Sequence, residues 1–138
     1  MKVLVDTCVV VDVLSRRSPF CEKSQELFLL AASNTIDAFV TAKSVSDIYY
    51  LVHKVTHSSD KTKAIISDLF QLFGVIDSTR EDILNALNSK IGDYEDAIMD
   101  ESAYRSGMDC ICTRNTKDYK NSRIKAIEPN DLLLQFRK

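Results

Sequence analysis

The stretch DYEDAIMDESAYRSGMDCICTRNTKDY, residues 93–119, holds the unit from which the fold is read. It opens with Asp93, Glu95 and Asp96, acids that favour the start of a helix. Ala97, Ile98 and Ala103 give a helix over about 94–106 its inward side, and Gly107 suits its close. The run from Asp109 to Thr113 predicts a buried strand. Thr113-Arg114-Asn115-Thr116-Lys117 then leads to Asp118 in the following loop. Helix, glycine stop, buried strand and acidic loop, in that order, make one step of an alternating fold.

The same alternation runs through the rest of the chain. Lys2–Val5 is a short apolar strand ended by Asp6, and Val9–Leu14 a short helix. Ser18-Pro19 reopens the chain into a helix over Phe20–Ala32, which Asn34 stops before a strand at Ile36–Thr41. A helix from Ser44 to about Val55 shows the stripe Val45, Ile48, Tyr49, Val52 and Val55. After a break at His57–Asp60, the next helix turns Ala64, Ile65, Leu69, Leu72 and Phe73 inward. Val75–Asp77 reads as a third strand, and Thr79–Asp82 caps a helix to about Lys90. Ile124–Ile127 would be a fifth strand and Pro129–Phe136 a final helix. The expected class is α/β: a three-layer sandwich, its mainly parallel central sheet of four to five strands flanked by helices. One domain over residues 1–138 is expected, without linker or internal repeat.

Composition excludes several classes. Of 138 residues, 45% are hydrophobic and 28% charged, values that suit a water-soluble domain with a sizeable core. No apolar stretch is long enough to span a bilayer, and the opening MKVLVDTC lacks a signal peptide's apolar region, so a cytoplasmic location and no membrane partner are expected. Cys8, Cys21, Cys110 and Cys112 are then expected as free thiols, with Cys110 and Cys112 on one face of a strand. The net charge of −2 conceals a division. Residues 77–101 carry eight acids and two bases, and residues 102–138 eight bases and four acids. An acidic segment before a basic one suits a cation site beside a phosphate-binding surface, and equally suits solvated faces.

Four acids recur where elements meet loops: Asp6, Asp47, Asp96 and Asp118. In an open parallel sheet, ligands bind beyond the carboxyl ends of the strands, and all four fall on that edge. Each also has a local explanation. Asp6 would cap a helix, Asp47 would close a capping box with Ser44, Asp96 would complement a helix dipole, and Asp118 would make an Asx turn. Together, gathered carboxylates repel and raise one another's pKa unless a cation neutralises them. An all-oxygen set selects Mg²⁺ or Mn²⁺. Asp93 and Asp100 lie beside Asp96, and Asp100 shares its helix face, so either would join or merely flank the site. Arg114, Lys117, Lys120, Arg123 and Lys125 would grip a nucleic-acid backbone or form a solvated loop.

These residues resemble a family. VDTCVVVDVLSRRSPF, residues 5–20, is similar to the opening of the PIN-domain ribonucleases, and residues 93–119 resemble the second half of that family's site more specifically. The nearest branch looks like the VapC-type toxins of toxin–antitoxin pairs. The resemblance implies a metal-dependent endoribonuclease with Asp6, Asp47, Asp96 and Asp118 as its acidic quartet. Asp6, Asp96 and Asp118 would hold Mg²⁺ or Mn²⁺, and Thr7, Thr113 and Asn115 would be polar support. It also implies an RNA substrate, an antitoxin partner and a homodimer. Two departures stand out: the second acid, more often Glu, is Asp47, and the third residue of the first motif, often Asn or Ser, is Cys8.

Other readings compete. A PIN-like RNA-binding or scaffold module without catalysis would fit the shortened acid at position 47 and the substitution at position 8. A phosphatase of the aspartyl type would need a second Asp two residues after Asp6, where Cys8 stands, and a receiver domain would need paired acids before its phosphoacceptor strand. His53 and His57 have helical metal-binding spacing but no third ligand, and read as helix-end residues.

Overall fold

A computed structural model describes residues 1–137; Lys138, the end of the expected domain, lies outside the described residues. Its centre is β1 (Lys2–Val5), whose side chains divide between two cores. Val3 and Val5 face one side, Leu4 the other, and all three are fully buried. Such a strand reads as a continuous apolar run because both faces are covered.

β1 pairs in parallel with β2 (Asp37–Thr41) on one edge and β4 (Cys110–Cys112) on the other. β3 (Gly74–Ile76) lies outside β2, and β5 (Ala126–Ile127) outside β4. The sheet order is β3-β2-β1-β4-β5, every pair parallel. The order reverses between β1 and β4, and such a switch point opens a crevice at the carboxyl end of the sheet.

One layer holds α1 (Thr7–Leu14), α2 (Cys21–Ala32), α3 (Ala42–Thr56), α4 (Ser59–Leu72) and α7 (Pro129–Leu134). Val9, Val10 and Val11 of α1 are all fully buried, as are Leu27, Ile48 and Leu132. The other face is covered by α5 (Arg80–Ala86) and α6 (Tyr94–Arg105), through Ala86, Ala97, Met99 and Ala103. Small residues let α6 lie close to the sheet, and Gly107, at φ 70°, turns the chain out of it towards β4. Asp82 ties the two outer helices together. It completes the capping box with Thr79 and accepts from Ser102 Oγ at 3.1 Å and from Arg105 Nη2 at 2.9 Å.

The three-layer parallel architecture is the expected one, with local differences. The inward side of α4 holds Leu69 and Phe73, with Ile65 and Leu72 half-buried against the core as expected; it also takes in Thr62 and Ile66, while Ala64 is exposed. Thr62 can join that side because its hydroxyl donates to the Ser58 carbonyl at 2.8 Å. Val55, on the last turn of α3, is 60% exposed. α5 ends at Ala86 rather than near Lys90, since Leu87–Ser89 continue in turns. The four cysteines are free thiols, and Cys110 and Cys112 share one core face as expected.

At Gly74 the backbone of β3 passes against Phe39. A Cβ there would stand 2.7 Å from two carbons of that ring. Gly74→Ala should therefore cost about 1–3 kcal/mol through forced displacement of the ring. A urea unfolding curve should show a lower midpoint at unchanged slope.

Candidate active site

Asp6 leaves the end of β1 at the switch point. Its backbone N–H donates to Cys112 O at 2.9 Å, and its carboxylate caps α1 by accepting from Thr7 N at 2.8 Å. Thr113, just past β4, donates its hydroxyl to Asp6 Oδ2 at 2.7 Å, and Cys8 Sγ stands 3.7 Å from the same oxygen. Asn115 N–H in turn bonds Thr113 Oγ1 at 3.1 Å, which sets the hydroxyl's orientation. Burial pushes the Asp6 carboxyl above its ordinary value; the bonds from Thr113, Thr7 and Cys8 and the charge of Arg114 oppose that rise. Burial pushes the Cys8 thiol up to about 11, so it stays protonated and remains a donor.

Asp96 enters the same cleft from the first turn of α6. Asp93 is the N-cap of that helix, accepting from Asp96 N at 2.9 Å. The buried Tyr119 hydroxyl donates to Asp96 Oδ1 at 3.1 Å. The Asp96 pKa is nonetheless raised to about 6, by burial first and then by the negative charges of Asp93, Asp6 and Asp118, against the relief Tyr119 gives. Two carboxylates far apart in the sequence thus share a cleft of about 280 Å³. Tyr119 itself is held far above the ordinary phenol value, by burial and by the Asp6 and Asp96 charges, and serves as a fixed donor.

Asp47 lines the same cleft from α3, but it closes no capping box. The cap of α3 is Thr41, which accepts from Ser44 N at 3.0 Å. Asp47 instead meets Lys43 Nζ at 2.7 Å, and the same ammonium stands 3.2 Å from Glu95 Oε1. Burial works against the Lys43 charge, yet the two acids outweigh it and leave its pKa above the ordinary value.

The remaining candidates separate. Asp118 does not line this cleft. It sits on a short 3-10 turn, Thr116–Tyr119, and borders an adjoining groove with Asp93, Lys117 and Lys120. Its charge still reaches Asp96, so Asp6, Asp47 and Asp96 line one cleft and Asp118 acts on it from the groove beside it. Asp100 turns away from the cleft. It is 1% exposed and accepts the backbone N–H groups of Arg123, at 3.0 Å, and Ile124, at 3.2 Å. Arg114 is not free for a phosphate. Its Nε pairs with the fully buried Asp12 at 2.7 Å, and its guanidinium lies 3.9 Å from the Phe20 ring centre. Arg123 is likewise engaged, with Glu101 at 3.0 Å and over Tyr104. Lys117, Lys120 and Lys125 are exposed.

Sequence reasoning missed Lys43, Glu95, Tyr119 and Asp12. Tyr119 had a faint signal as the apolar neighbour of Asp118. Lys43 and Asp47 had a stronger one, an i,i+4 pair of opposite charge.

The donor set suits a hard cation. Asp6 and Asp96 offer only oxygens, and the raised Asp96 pKa marks a place short of positive charge. Among the described residues no three His, Cys, Asp or Glu side chains enclose an ion as they stand. Mg²⁺ needs no such cage, since it keeps several waters and is commonly held through one or two carboxylates. The residues therefore fit a hydrated divalent cation and not a caged transition metal.

Two outcomes follow. Asp96 binds its proton more tightly folded than unfolded, so the stability of metal-free protein falls as pH rises from 3.8 to about 6. Asp96→Asn should stabilise metal-free protein at neutral pH by about 1 kcal/mol, after discounting for solvent screening. That gain should vanish in acid, as thermal melts across pH in chelator would show. Asp100→Ala should cost about 2–3 kcal/mol by orphaning two backbone N–H groups, while leaving Mn²⁺ affinity unchanged in a calorimetric titration.

Comparison with known proteins shows which fold and family this chain shares. The structure is similar to VapBC2 from Rickettsia felis bound to a promoter DNA fragment, with TM-score 0.68 and 14% identity over 93% of this chain and 98% of that one. It is also similar to a toxin–antitoxin complex from Klebsiella pneumoniae, with TM-score 0.65 and 21% identity over 92% and 97%. A third likeness is to Mycobacterium tuberculosis VapC20, a sarcin–ricin loop cleaving toxin, with TM-score 0.63 and 13% identity over 79% and 86%. A search of curated protein sequences finds no match. The PIN domain family model matches residues 2–117, a span that holds Asp6, Asp47 and Asp96, and the chain belongs to the PIN domain family.

Proposed function

We propose that this protein is a metal-dependent endoribonuclease, hydrolysing RNA phosphodiester bonds, and the toxin of a toxin–antitoxin pair. The observation that carries this reading is the pairing of Asp6 and Asp96 in one cleft, with Asp96 pushed up to about 6 by burial and surrounding negative charge. Paired acids in that state bind a cation or a proton, and at neutral pH the cation wins if Mg²⁺ or Mn²⁺ is supplied.

In this reading Asp6 and Asp96 hold the ion, and Asp118 supports it from the adjoining groove. A bound divalent cation supplies Lewis acidity towards a phosphodiester and lowers the pKa of attacking water. Thr113, Thr7 and Cys8 fix the Asp6 carboxylate, and Asn115 fixes Thr113. Tyr119 fixes one oxygen of Asp96 and leaves the other to the ion. Asp93 caps α6 and adds negative charge beside Asp96. Lys117 and Lys120, exposed beside Asp118, take the RNA backbone.

The toxin role and the antitoxin partner draw support from relatives of the same fold described as toxins or toxin–antitoxin complexes, and the homodimeric state is proposed with them. No helix among the described residues is long and apolar enough to cross a membrane; a cytoplasmic site of action belongs to the proposal. The alternative, a non-catalytic RNA-binding module, is favoured by Lys43, which already neutralises Asp47.

Purified protein should cleave RNA with Mg²⁺ or Mn²⁺ and stop in EDTA. Asp6→Asn and Asp96→Asn should each reduce the rate about 100-fold or more, the scale of losing one preorganised electrostatic group. Cleavage that survives both substitutions would mean a contaminating nuclease. RNA binding that persists in EDTA, with no cleavage under either metal, would favour the non-catalytic module.

A further inference from the structure

The two sides of the cleft are neutralised differently. On the inner side, Asp6 and Asp96 meet only uncharged donors: Thr113, Thr7 and Cys8 on one, Tyr119 on the other. No lysine or arginine among the described residues forms an ion pair with either. On the outer side, one ammonium sits between two carboxylates. Lys43 Nζ is 2.7 Å from Asp47 Oδ2 and 3.2 Å from Glu95 Oε1. The acids come from opposite walls, Asp47 from α3 and Glu95 from α6, so Lys43 spans the mouth. Its charge is well supported, since both acids hold its pKa above the ordinary value despite burial.

A cation coordinated by Asp47 and Glu95 would have to stand where that ammonium stands. The side chain of Asp47 is one methylene shorter than a Glu, and its free reach is spent on Lys43. We propose that Lys43 is a built-in monovalent cation that neutralises Asp47 and Glu95 and so limits the centre to one divalent ion, on the Asp6–Asp96 side. The inference rests on the metal-dependent reading above. Lys43 acts here as a positioning residue: it controls how much negative charge is left for incoming ions. Two-metal centres place their ions about 4 Å apart, and the second needs carboxylates of its own. An ammonium on those carboxylates repels a second ion and occupies its ligands.

Mn²⁺ titrated into purified protein, followed by calorimetry and by electron paramagnetic resonance of free Mn²⁺, reads the stoichiometry directly. Wild type and Lys43→Arg should each bind one ion per chain, and Lys43→Met should bind two. Lys43→Gln repeats the test if the methionine variant melts early. The double variant K43M/D47N should return to one ion, because the second ion's ligand is gone. Two ions in the wild type, with metal-dependent cleavage intact, would overturn the proposal alone. A single ion in both uncharged variants would also overturn it. A wild type that binds no Mn²⁺ and cleaves no RNA would overturn the nuclease reading and this inference with it.

Discussion

The position of β1 between β2 and β4 is the constraint from which the rest follows. A strand paired on both edges and buried on both faces leaves its neighbours little choice. Val3 and Val5 require a helix layer on one side, and Leu4 requires one on the other. Parallel pairing on both edges forces every return of the chain to cross over a face, and helices supply those crossings. The carboxyl end of β1 then lies at the reversal of strand order. Asp6 is the first residue past it, locked to β4 through Cys112 O and the Thr113 hydroxyl.

That placement sets the electrostatics. Asp6 is desolvated because the sheet has just delivered it from the core, and Asp96 because α6 packs its first turn over the same end. The fold answers with dipoles rather than charges. Thr113, Thr7, Cys8 and Tyr119 each donate a hydrogen bond without ending the demand for a cation. Structural acids elsewhere are treated differently. Asp82 is held below the ordinary range: burial alone would raise it, but Arg105, Thr79 and Ser102 together prevail. Asp12 is likewise paired directly with Arg114. Acids that serve stability have their own cation or a full set of N–H donors, and those of the cleft's inner side do not.

Much of this was legible in the sequence, for physical reasons. Burial on both faces writes apolar runs, so β1 and β4 could be read directly, and local capping chemistry marked α5 and α6. Asp6 and Asp96 could be found because each follows or begins an element at the same sheet edge. The rest depended on contacts that no local pattern encodes. The inward side of α4 takes in Thr62 because that residue satisfies its hydroxyl within the helix and can be buried. Asp100 shares a helix face with Asp96, yet it serves the backbone of residues 123 and 124 on the far side. Arg114 follows Thr113 in a basic loop, but its partner Asp12 is 102 positions away. Asp118 keeps its electrostatic reach to Asp96 from a neighbouring groove, a distinction between field and contact that spacing cannot express.

The sheet also ends abruptly on both sides. β3 has three residues and β5 two, and each is the outermost strand. Edges this short expose few unpaired amide and carbonyl groups, so another chain gains little by adding a strand there. Any association of this chain would then fall to helix surfaces, whose side chains can be chosen residue by residue. A scaffold of this kind can change partners through surface substitutions while the sheet that carries its acids stays intact.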